Sequence, residues 1–175
     1  MKHTGTLLLE TERLVLRRFT KEDILPVFNN WSGNPEVTKY LLWSYHKTEK
    51  ETARFLKKYI RQYYKKDFYV WAVERKEDGE VIGTVDATVF KSKAEIGYCF
   101  GEKFWKKGYA FESLSKMIEF FKEIGCDCFG ATCAVENKAS AKLLMRLGFV
   151  KENSDTVSYV GENGFIKCEE YELRC

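Results

Sequence analysis

The stretch that decides the fold runs from Glu95 to Glu112 and reads EIGYCFGEKFWKKGYAFE. It begins as a strand, continues as a short basic and aromatic loop, and opens a helix at Gly108. The first turn of a helix has unpaired backbone N–H groups and about half a positive charge, which together favour an anion. Gly108 and Ala110 leave room for a pyrophosphate, and Lys106 and Lys107 add charge beside it. The segment predicts a site for a phosphate-bearing cofactor, and the alternative is an ordinary loop with solvated lysines.

Neither standard nucleotide-binding motif is present in the chain. It contains no Gly-x-x-x-x-Gly-Lys-Ser/Thr sequence, and Gly101 and Gly108 are too far apart for Gly-x-Gly-x-x-Gly. The cofactor prediction therefore depends on the strand, loop and helix order alone.

The flanking sequence predicts a mixed α/β protein. In the first half, the pattern predicts a strand at 14–17, a helix that begins at Thr20 and is bent by Pro26, and a short helix at Asn34-Pro35. A longer helix follows Thr48, and three antiparallel strands follow at 68–74, 81–90 and 94–100. The second half reads as a helix at 108–124, a strand at 129–135, a helix at 138–147, and strands at 157–160 and 165–173 joined by an Asn163-Gly164 turn. The β-α-β unit from Glu95 to Cys133 requires one parallel strand pair within an otherwise antiparallel sheet.

The composition excludes several classes of function. The chain has 175 residues, 45% of them hydrophobic, with 29 basic and 26 acidic residues for a formal net charge of +3. That balance argues against a nucleic-acid partner, because nucleic-acid-binding domains are typically strongly basic. The only histidines are His3 and His46, so histidine-led metal or nucleophilic chemistry would depend on His46 alone. We therefore expect no metal.

The length and the cysteines indicate a single domain in a reducing compartment. The six cysteines form no Cys-x-x-Cys pair, the N-terminus has no signal-peptide pattern, and no apolar stretch approaches the roughly 18 residues of a membrane span. We expect a cytoplasmic protein, monomeric or homodimeric, without a membrane partner.

A second segment, Val135 to Phe149, reads VENKASAKLLMRLGF. Together with the first, it resembles the GNAT N-acetyltransferases, and within them the RimJ/RimL branch of ribosomal-protein N-terminal acetyltransferases. Four motifs carry the resemblance in the order of the chain: Thr11 to Arg17, Asn34 to Val37, Trp105-x-x-Gly108-Tyr109-Ala110, and Asn137-x-x-Ser140 followed by Leu147-Gly148-Phe149. The resemblance spans nearly the whole chain.

The resemblance implies a fold and an activity. The fold is a mostly antiparallel mixed sheet of about six to seven strands with one splayed parallel pair, flanked by four to five helices, in a single domain over 1–175. The activity is transfer of an acetyl group from acetyl-CoA to a primary amine. The alternative is a non-catalytic acyl-CoA sensor or interaction module with the same fold.

The resemblance also implies which residues bind acetyl-CoA. The pantetheine arm pairs with the backbone of Tyr98, Cys99 and Phe100 in the gap between the splayed strands. The pyrophosphate binds the turn made of Trp105, Lys106, Lys107, Gly108, Tyr109, Ala110 and Phe111. Asn137 and Ser140 lie near the thioester, although both residue types are also common at the start of a helix for structural reasons alone.

Two departures from the family pattern affect the chemistry. Lys106 stands where the branch often has glycine, and Leu144 stands where members with a catalytic tyrosine carry it. A tyrosine acid at that position is excluded. Ser140 is the first candidate for stabilising or protonating the leaving thiolate, and Tyr98 is the second.

Direct attack by an amine requires its neutral form and hence a base. Glu95, beside the cofactor strand, is the candidate base, because burial would raise its pKa to a useful value. The alternative is a solvated carboxylate at a strand edge. Asp86, which interrupts an apolar run, is the second candidate.

We expect the N-terminal helices and the aromatic loop after them to bind the acceptor amine. Trp43 and Tyr45 are expected to line a substrate pocket, whereas Trp31 is expected to pack in the core. The acceptor stays open between a peptide N-terminus, a free amino acid or polyamine, and another amine-bearing small molecule.

Overall fold

Residues 1–152, 156–162 and 164–175 are described by a computed structural model. Nine strands are found in them: β1 (Leu9–Glu10), β2 (Leu14–Arg17), β3 (Tyr69–Arg75), β4 (Val81–Phe90), β5 (Lys93–Phe100), β6 (Cys128–Ala134), β7 (Val150–Lys151), β8 (Val157–Gly161) and β9 (Gly164–Arg174). Five α-helices accompany them: α1 (Ile24–Val27), α2 (Pro35–Thr38), α3 (Glu49–Ile60), α4 (Tyr109–Glu123) and α5 (Lys138–Arg146). Asn163 of the predicted last turn lies outside the described residues.

The mixed α/β class and the mostly antiparallel sheet are confirmed. The strands form one sheet in the order β1-β2-β3-β4-β5-β6-β9-β7, with β8 paired to β9. All seven predicted strands are present, and β1 and β7 add two residues each. Two residues are too few to show an alternating pattern in the sequence, so these short strands escaped prediction.

The segment around Pro26 departs from regular helix, as its sequence predicts. A 3-10 turn over Lys21–Asp23 leads into α1, and a π-helical turn over Phe28–Ser32 follows it. Proline cannot donate the backbone hydrogen bond that a regular helix needs at that position, which accounts for the irregular course. The chain then turns into α2, where the Asn34 side chain accepts a hydrogen bond from the Glu36 N–H at 2.9 Å.

The sheet is covered on both faces by apolar clusters. The larger cluster packs α4 and α5 against one face and includes Trp71, Met117 and Phe129, each fully buried. The smaller cluster packs α1 and α3 against the other face and includes Trp31 and Leu56. The side chains of successive residues in β3, β4 and β5 therefore point in turn to the α4 side and to the α3 side of the sheet.

The one parallel pair, β5 with β6, is hydrogen-bonded over only part of its length. The pairing runs from Lys93 opposite Cys128 to Glu95 opposite Gly130 and then stops. Beyond that point β5 remains paired with β4, and β6 remains paired with β9. An opening therefore separates Ile96–Phe100 from Ala131–Ala134, and α4 and α5 follow these strands on its rim.

Candidate active site

The opening between β5 and β6 exposes the backbone of alternate residues of β5. The Gly101 N–H bonds the Ile82 carbonyl at 3.0 Å, which fixes the residues whose backbone groups face β4. By the alternation of an antiparallel pair, Cys99 faces Thr84 of β4, and Tyr98 and Phe100 face the opening. This register argues against the prediction that Cys99 offers its backbone to a cofactor, because those groups already pair within the sheet. The same prediction for Tyr98 and Phe100 stays a prediction.

The side chain of Trp105 closes one end of the opening. Its indole N–H donates to the Phe100 carbonyl at 2.7 Å, and 44% of the residue is exposed. That carbonyl is therefore already bonded, and the Phe100 N–H is the group left towards the opening. Trp105 fixes the loop that follows β5 against the end of that strand.

The loop and first turn of α4 present a run of unused backbone donors. No described residue accepts a hydrogen bond from the backbone N–H groups of 106–111, and the first bond of the helix joins the Glu112 N–H to the Gly108 carbonyl. Gly108 has φ 84° and Lys106 has φ 61°, both in the left-handed region. Consecutive N–H groups of this kind suit an anion, and the exposed Lys106 and Lys107 add charge beside them, so we call this turn the candidate anion site.

Contacts of Arg13, which were not predicted from the sequence, hold this loop to the edge of the sheet, and we call them the Arg13 clamp. Arg13 donates from Nε to Glu112 at 2.7 Å and from a terminal nitrogen to the Lys107 carbonyl at 3.1 Å. Its guanidinium also lies 4.7 Å from the centre of the Tyr109 ring, and Thr11 donates to Glu112 at 2.5 Å. The sequence contained a signal, since Thr11 and Arg13 belong to one of the four family motifs, but their partners could not be read from it.

The remaining predicted residues of this turn lie on the same rim. Tyr109 is buried, Ala110 is half-buried, and the Phe111 ring lies under the Arg146 guanidinium at 4.1 Å. Arg146 lies in the last turn of α5, so α4 and α5 meet beside the anion site.

The start of α5 brings the two thiolate candidates together. The Tyr98 and Ser140 hydroxyl groups lie 2.6 Å apart, and the Asn137 side-chain oxygen accepts the Ser140 N–H at 3.1 Å. Asn137 is therefore the N-cap of α5, while no described residue accepts a hydrogen bond from its amide nitrogen. Burial raises the pKa of Tyr98, so its hydroxyl keeps its proton. Leu144 is buried in the core, consistent with its having no catalytic part.

Glu95 lies at the point where the strands diverge. Its carboxylate accepts a hydrogen bond from the Thr132 hydroxyl at 3.2 Å and lies over Gly130 of β6, where a Cβ atom would overlap it. Glu95 is exposed on the α3 side of the sheet, and desolvation nevertheless raises its pKa. It can accept a proton from a group bound in the opening.

Asp86 lies on the same face, one strand away. Its register partner is Gly97, and a Cβ atom there would lie 2.8 Å from both carboxylate oxygens. The missing side chain lets the Asp86 carboxylate lie across β5 towards the opening. Desolvation raises its pKa to about 6.

Of the aromatic residues of this region, Trp31 packs in the core as expected, and the prediction that Trp43 and Tyr45 line a substrate pocket stays a prediction. Trp31 is 1% exposed and packs in the core. Trp43 is half-buried, with ring contacts to His46 at 5.4 Å and Phe55 at 5.8 Å. Tyr45 is exposed and makes no ring contact with any described residue, so the structure does not bring it into that aromatic group.

The described residues include no group of three or more histidine, cysteine, aspartate or glutamate side chains placed to hold a metal ion. Among the helices in the same part of the chain, none is long and apolar enough to cross a membrane.

Solved structures with the same fold include acetyltransferases. An acetyltransferase (GNAT family) from Bacillus anthracis superposes with a TM-score of 0.83 at 23% identity, covering 96% of this chain and 98% of that one. RimL, a ribosomal L7/L12 alpha-N-protein acetyltransferase solved in complex with coenzyme A, superposes with a TM-score of 0.83 at 18% identity, covering 96% and 98%. At these identities the likeness shows the fold alone.

The sequence comparisons extend from the fold to the family. The uncharacterized N-acetyltransferase YoaA of Bacillus subtilis is 33% identical over 161 residues, which cover 90% of each chain. Residues 13–150 match the sequence model of the acetyltransferase (GNAT) domain. The predicted family and the prediction of an acetyl-CoA-dependent enzyme are therefore confirmed: this chain belongs to the GNAT family of N-acetyltransferases.

Proposed function

We propose that this chain transfers an acetyl group from acetyl-CoA to a primary amine by direct attack, with no metal, as a single cytoplasmic domain over 1–175. One sheet continuous from β1 to β9 supports the single domain, and six free thiols suit a reducing compartment. Every group of the mechanism comes from one chain, so the proposal holds for a monomer or a homodimer. The acceptor is a peptide N-terminal α-amine or a small-molecule amine.

The observation that carries the proposal is the run of unpartnered N–H groups at 106–111 beside the open strand pair. The N–H groups suit a pyrophosphate, and the opening suits an extended arm that bonds the backbone of Tyr98 and Phe100. The amide nitrogen of Asn137 is a further donor at the far side of the opening. When bound, acetyl-CoA supplies the thioester that the amine attacks.

Glu95 acts as the base in this proposal. It accepts a proton from the amine, directly or through a water molecule, and its raised pKa brings it closer to that of the group it deprotonates. An α-amine with a pKa near 8 is about one-tenth neutral at pH 7, whereas a lysine side chain is neutral in less than about one molecule in a thousand. An α-amine therefore needs less help from the base.

Ser140 acts on the leaving sulfur. Its hydroxyl donates a hydrogen bond or a proton to the thiolate, and the Tyr98 hydroxyl, 2.6 Å away, keeps its own proton and donates a hydrogen bond to the Ser140 oxygen. A proton that Ser140 gives to the sulfur is replaced from solvent after CoA leaves. The hydrogen bond from the Ser140 N–H to Asn137 keeps the first turn of α5 in place.

The test is release of the CoA thiol from acetyl-CoA over a panel of amines that includes peptides with free N-termini. Acetyl-CoA binding is measured separately by calorimetry. Turnover of at least one amine supports the proposal. Binding of acetyl-CoA with turnover of none identifies the chain as the non-catalytic sensor.

A further inference from the structure

Asp86 is a carboxylate placed in the acceptor side of the site without a protein partner. No described residue donates a hydrogen bond to it or forms an ion pair with it, although its carboxylate lies across β5 towards the opening. Glu95 is a diagonal neighbour on the same face, which places the two residues about 7–8 Å apart. Glu95 leans in the same direction along the sheet, over Gly130 of β6, so each carboxylate occupies the space left by a glycine of the next strand.

Tyr59 of α3 packs on the same side of the sheet as Asp86, close enough for the Asp86 charge to add to burial in raising the Tyr59 pKa. Its hydroxyl also makes no hydrogen bond to any described residue. Among the described residues, no fully buried side-chain oxygen or nitrogen lacks a partner. The Tyr59 and Asp86 oxygens therefore keep some solvent-accessible surface on the α3 side of the sheet.

A chain of aromatic rings continues from Tyr59, and we call these rings together with Asp86 the acceptor pocket. Tyr59 contacts Phe55 edge-on at 4.6 Å between ring centres and Phe68 at 5.9 Å, and Phe55 continues to Trp43 at 5.8 Å. Phe55, Tyr59 and Trp43 are half-buried, so their rings leave part of their surface to a ligand.

We propose that Asp86 and these rings bind the ammonium group of the acceptor, so that the acceptor is a primary amine carried on an aromatic or aliphatic group. This inference rests on the proposed function and names the substrate class of the same site. A carboxylate beside aromatic faces attracts a cation by charge and by the ring quadrupoles. The apolar substituent packs on the rings, whereas the amide groups that follow a peptide N-terminus would lose hydrogen bonds to water there.

The charge state of the pocket is consistent with this role. Asp86, with its pKa at about 6, is mostly ionised at neutral pH. The titratable groups that face it are Tyr59 from α3 and Cys99 from β5, and burial raises both pKa values, that of Cys99 to about 12. Both stay neutral at neutral pH and do not compete with the ligand for the carboxylate.

The test compares acetylation of 2-phenylethylamine with that of a glycine-initiated tripeptide in the wild type and in Asp86→Asn. We expect the wild type to prefer 2-phenylethylamine in kcat/KM. Asp86→Asn should raise KM for this amine about 10- to 100-fold, the range for loss of one charge-assisted hydrogen bond. The KM for acetyl-CoA should not change.

Two further variants test whether the position of the Asp86 carboxylate matters as well as its charge. Gly97→Ala keeps the carboxylate but displaces it, and should also raise KM for 2-phenylethylamine. Glu77→Gln removes an exposed carboxylate from the β3–β4 turn and should behave as the wild type. An unchanged KM in Asp86→Asn, or a preference for the tripeptide, overturns the inference and leaves the acetyltransferase proposal standing.

A binding measurement decides the inference even if no amine is acetylated. The probe is 2-phenylethylamine itself, titrated by calorimetry into the CoA complex, which holds no acetyl group to transfer. Binding to the wild type that is lost in Asp86→Asn supports the pocket independently of turnover. Absence of binding to the wild type overturns it.

Discussion

The Tyr98 and Ser140 hydroxyl groups, 2.6 Å apart, bridge the end of β5 and the first turn of α5. One hydrogen bond thus joins residues 42 positions apart in the chain at the opening between the splayed strands. The sequence presents them as alternatives for assisting the leaving thiolate. In the structure they form one hydrogen-bonded pair, so the useful question is which member touches the sulfur.

Single and double substitutions of this pair answer it. We expect Ser140→Ala to lower kcat by about 100-fold, at the low end of the effect of general acid catalysis, with KM for acetyl-CoA nearly unchanged. Tyr98→Phe should lower kcat by about tenfold, because the Tyr98 hydrogen bond assists the sulfur only through Ser140. The double variant should be no slower than Ser140→Ala alone, since the two act in series. Initial rates at saturating acetyl-CoA measure all three.

Ser158→Ala, an exposed serine of β8, is the matched control and should keep wild-type kcat. If Tyr98→Phe is slower than Ser140→Ala, the order of the pair is reversed and Tyr98 is the group that touches the sulfur.

Glu95 and Gly130 give a second pair of variants with one expected phenotype. Glu95→Gln should lower kcat by about 100-fold by removing the base. Gly130→Ala should also lower kcat, because the new Cβ displaces the Glu95 carboxylate. Desolvation raises the pKa of Glu95, so wild-type kcat should fall as the pH drops through that raised value, and this acidic limb should vanish in Glu95→Gln. A pH profile of kcat that is the same in both proteins would remove Glu95 from the mechanism.

Much of the fold could be predicted because its signals are local. The glycine at 108 and the capping asparagine at 137 mark the starts of α4 and α5, which begin at Tyr109 and Lys138. The β-α-β order alone required the parallel pair. The point at which β5 and β6 diverge could not be predicted from local sequence. Their divergence after Glu95 depends on the pairing of β5 with β4 and of β6 with β9.

The site was predicted less completely because its geometry depends on the register between strands. That Cys99 faces β4 and Tyr98 faces the opening follows from one hydrogen bond, Gly101 to Ile82. Nothing in the sequence near Asp86 shows that Gly97 lies opposite. Likewise, helical spacing predicts Tyr59 on the apolar stripe of α3 but does not place it beside Asp86.

Asp86 should lower the stability of the folded protein at neutral pH. Its pKa is about 6 in the folded protein and about 3.9 in an unfolded chain, so the folded state holds the proton more tightly. Stability is then greatest below pH 4 with respect to this group, and falls as the pH rises through 6, by about 1–3 kcal/mol. Asp86→Asn should therefore be more stable than the wild type by about that amount at pH 7.5, and equal to it near pH 4.

Urea unfolding at pH 4, 5, 6 and 7.5 measures this difference. A variant that is less stable than the wild type at pH 7.5 would show that the ionised carboxylate is stabilised by the fold rather than held for a ligand.

The Arg13 clamp predicts a binding defect from residues outside the anion site. Arg13 fixes the Lys107 carbonyl and Glu112 on either side of Gly108, and so keeps the free N–H groups of 106–111 aimed at one point. Arg13→Ala should weaken acetyl-CoA binding about tenfold, while kcat at saturation stays near that of the wild type. Gly108→Ala should weaken it at least as much, because an L residue is strained at φ 84° and its Cβ would lie 3.3 Å from Arg13.

Calorimetric titration with acetyl-CoA measures both variants, and Arg54→Ala, an exposed arginine on α3, is the control. Lys106 and Lys107 are intact in both variants. Wild-type affinity in Arg13→Ala would therefore mean that the lysine charges supply the binding free energy, and that the orientation of the backbone N–H groups does not.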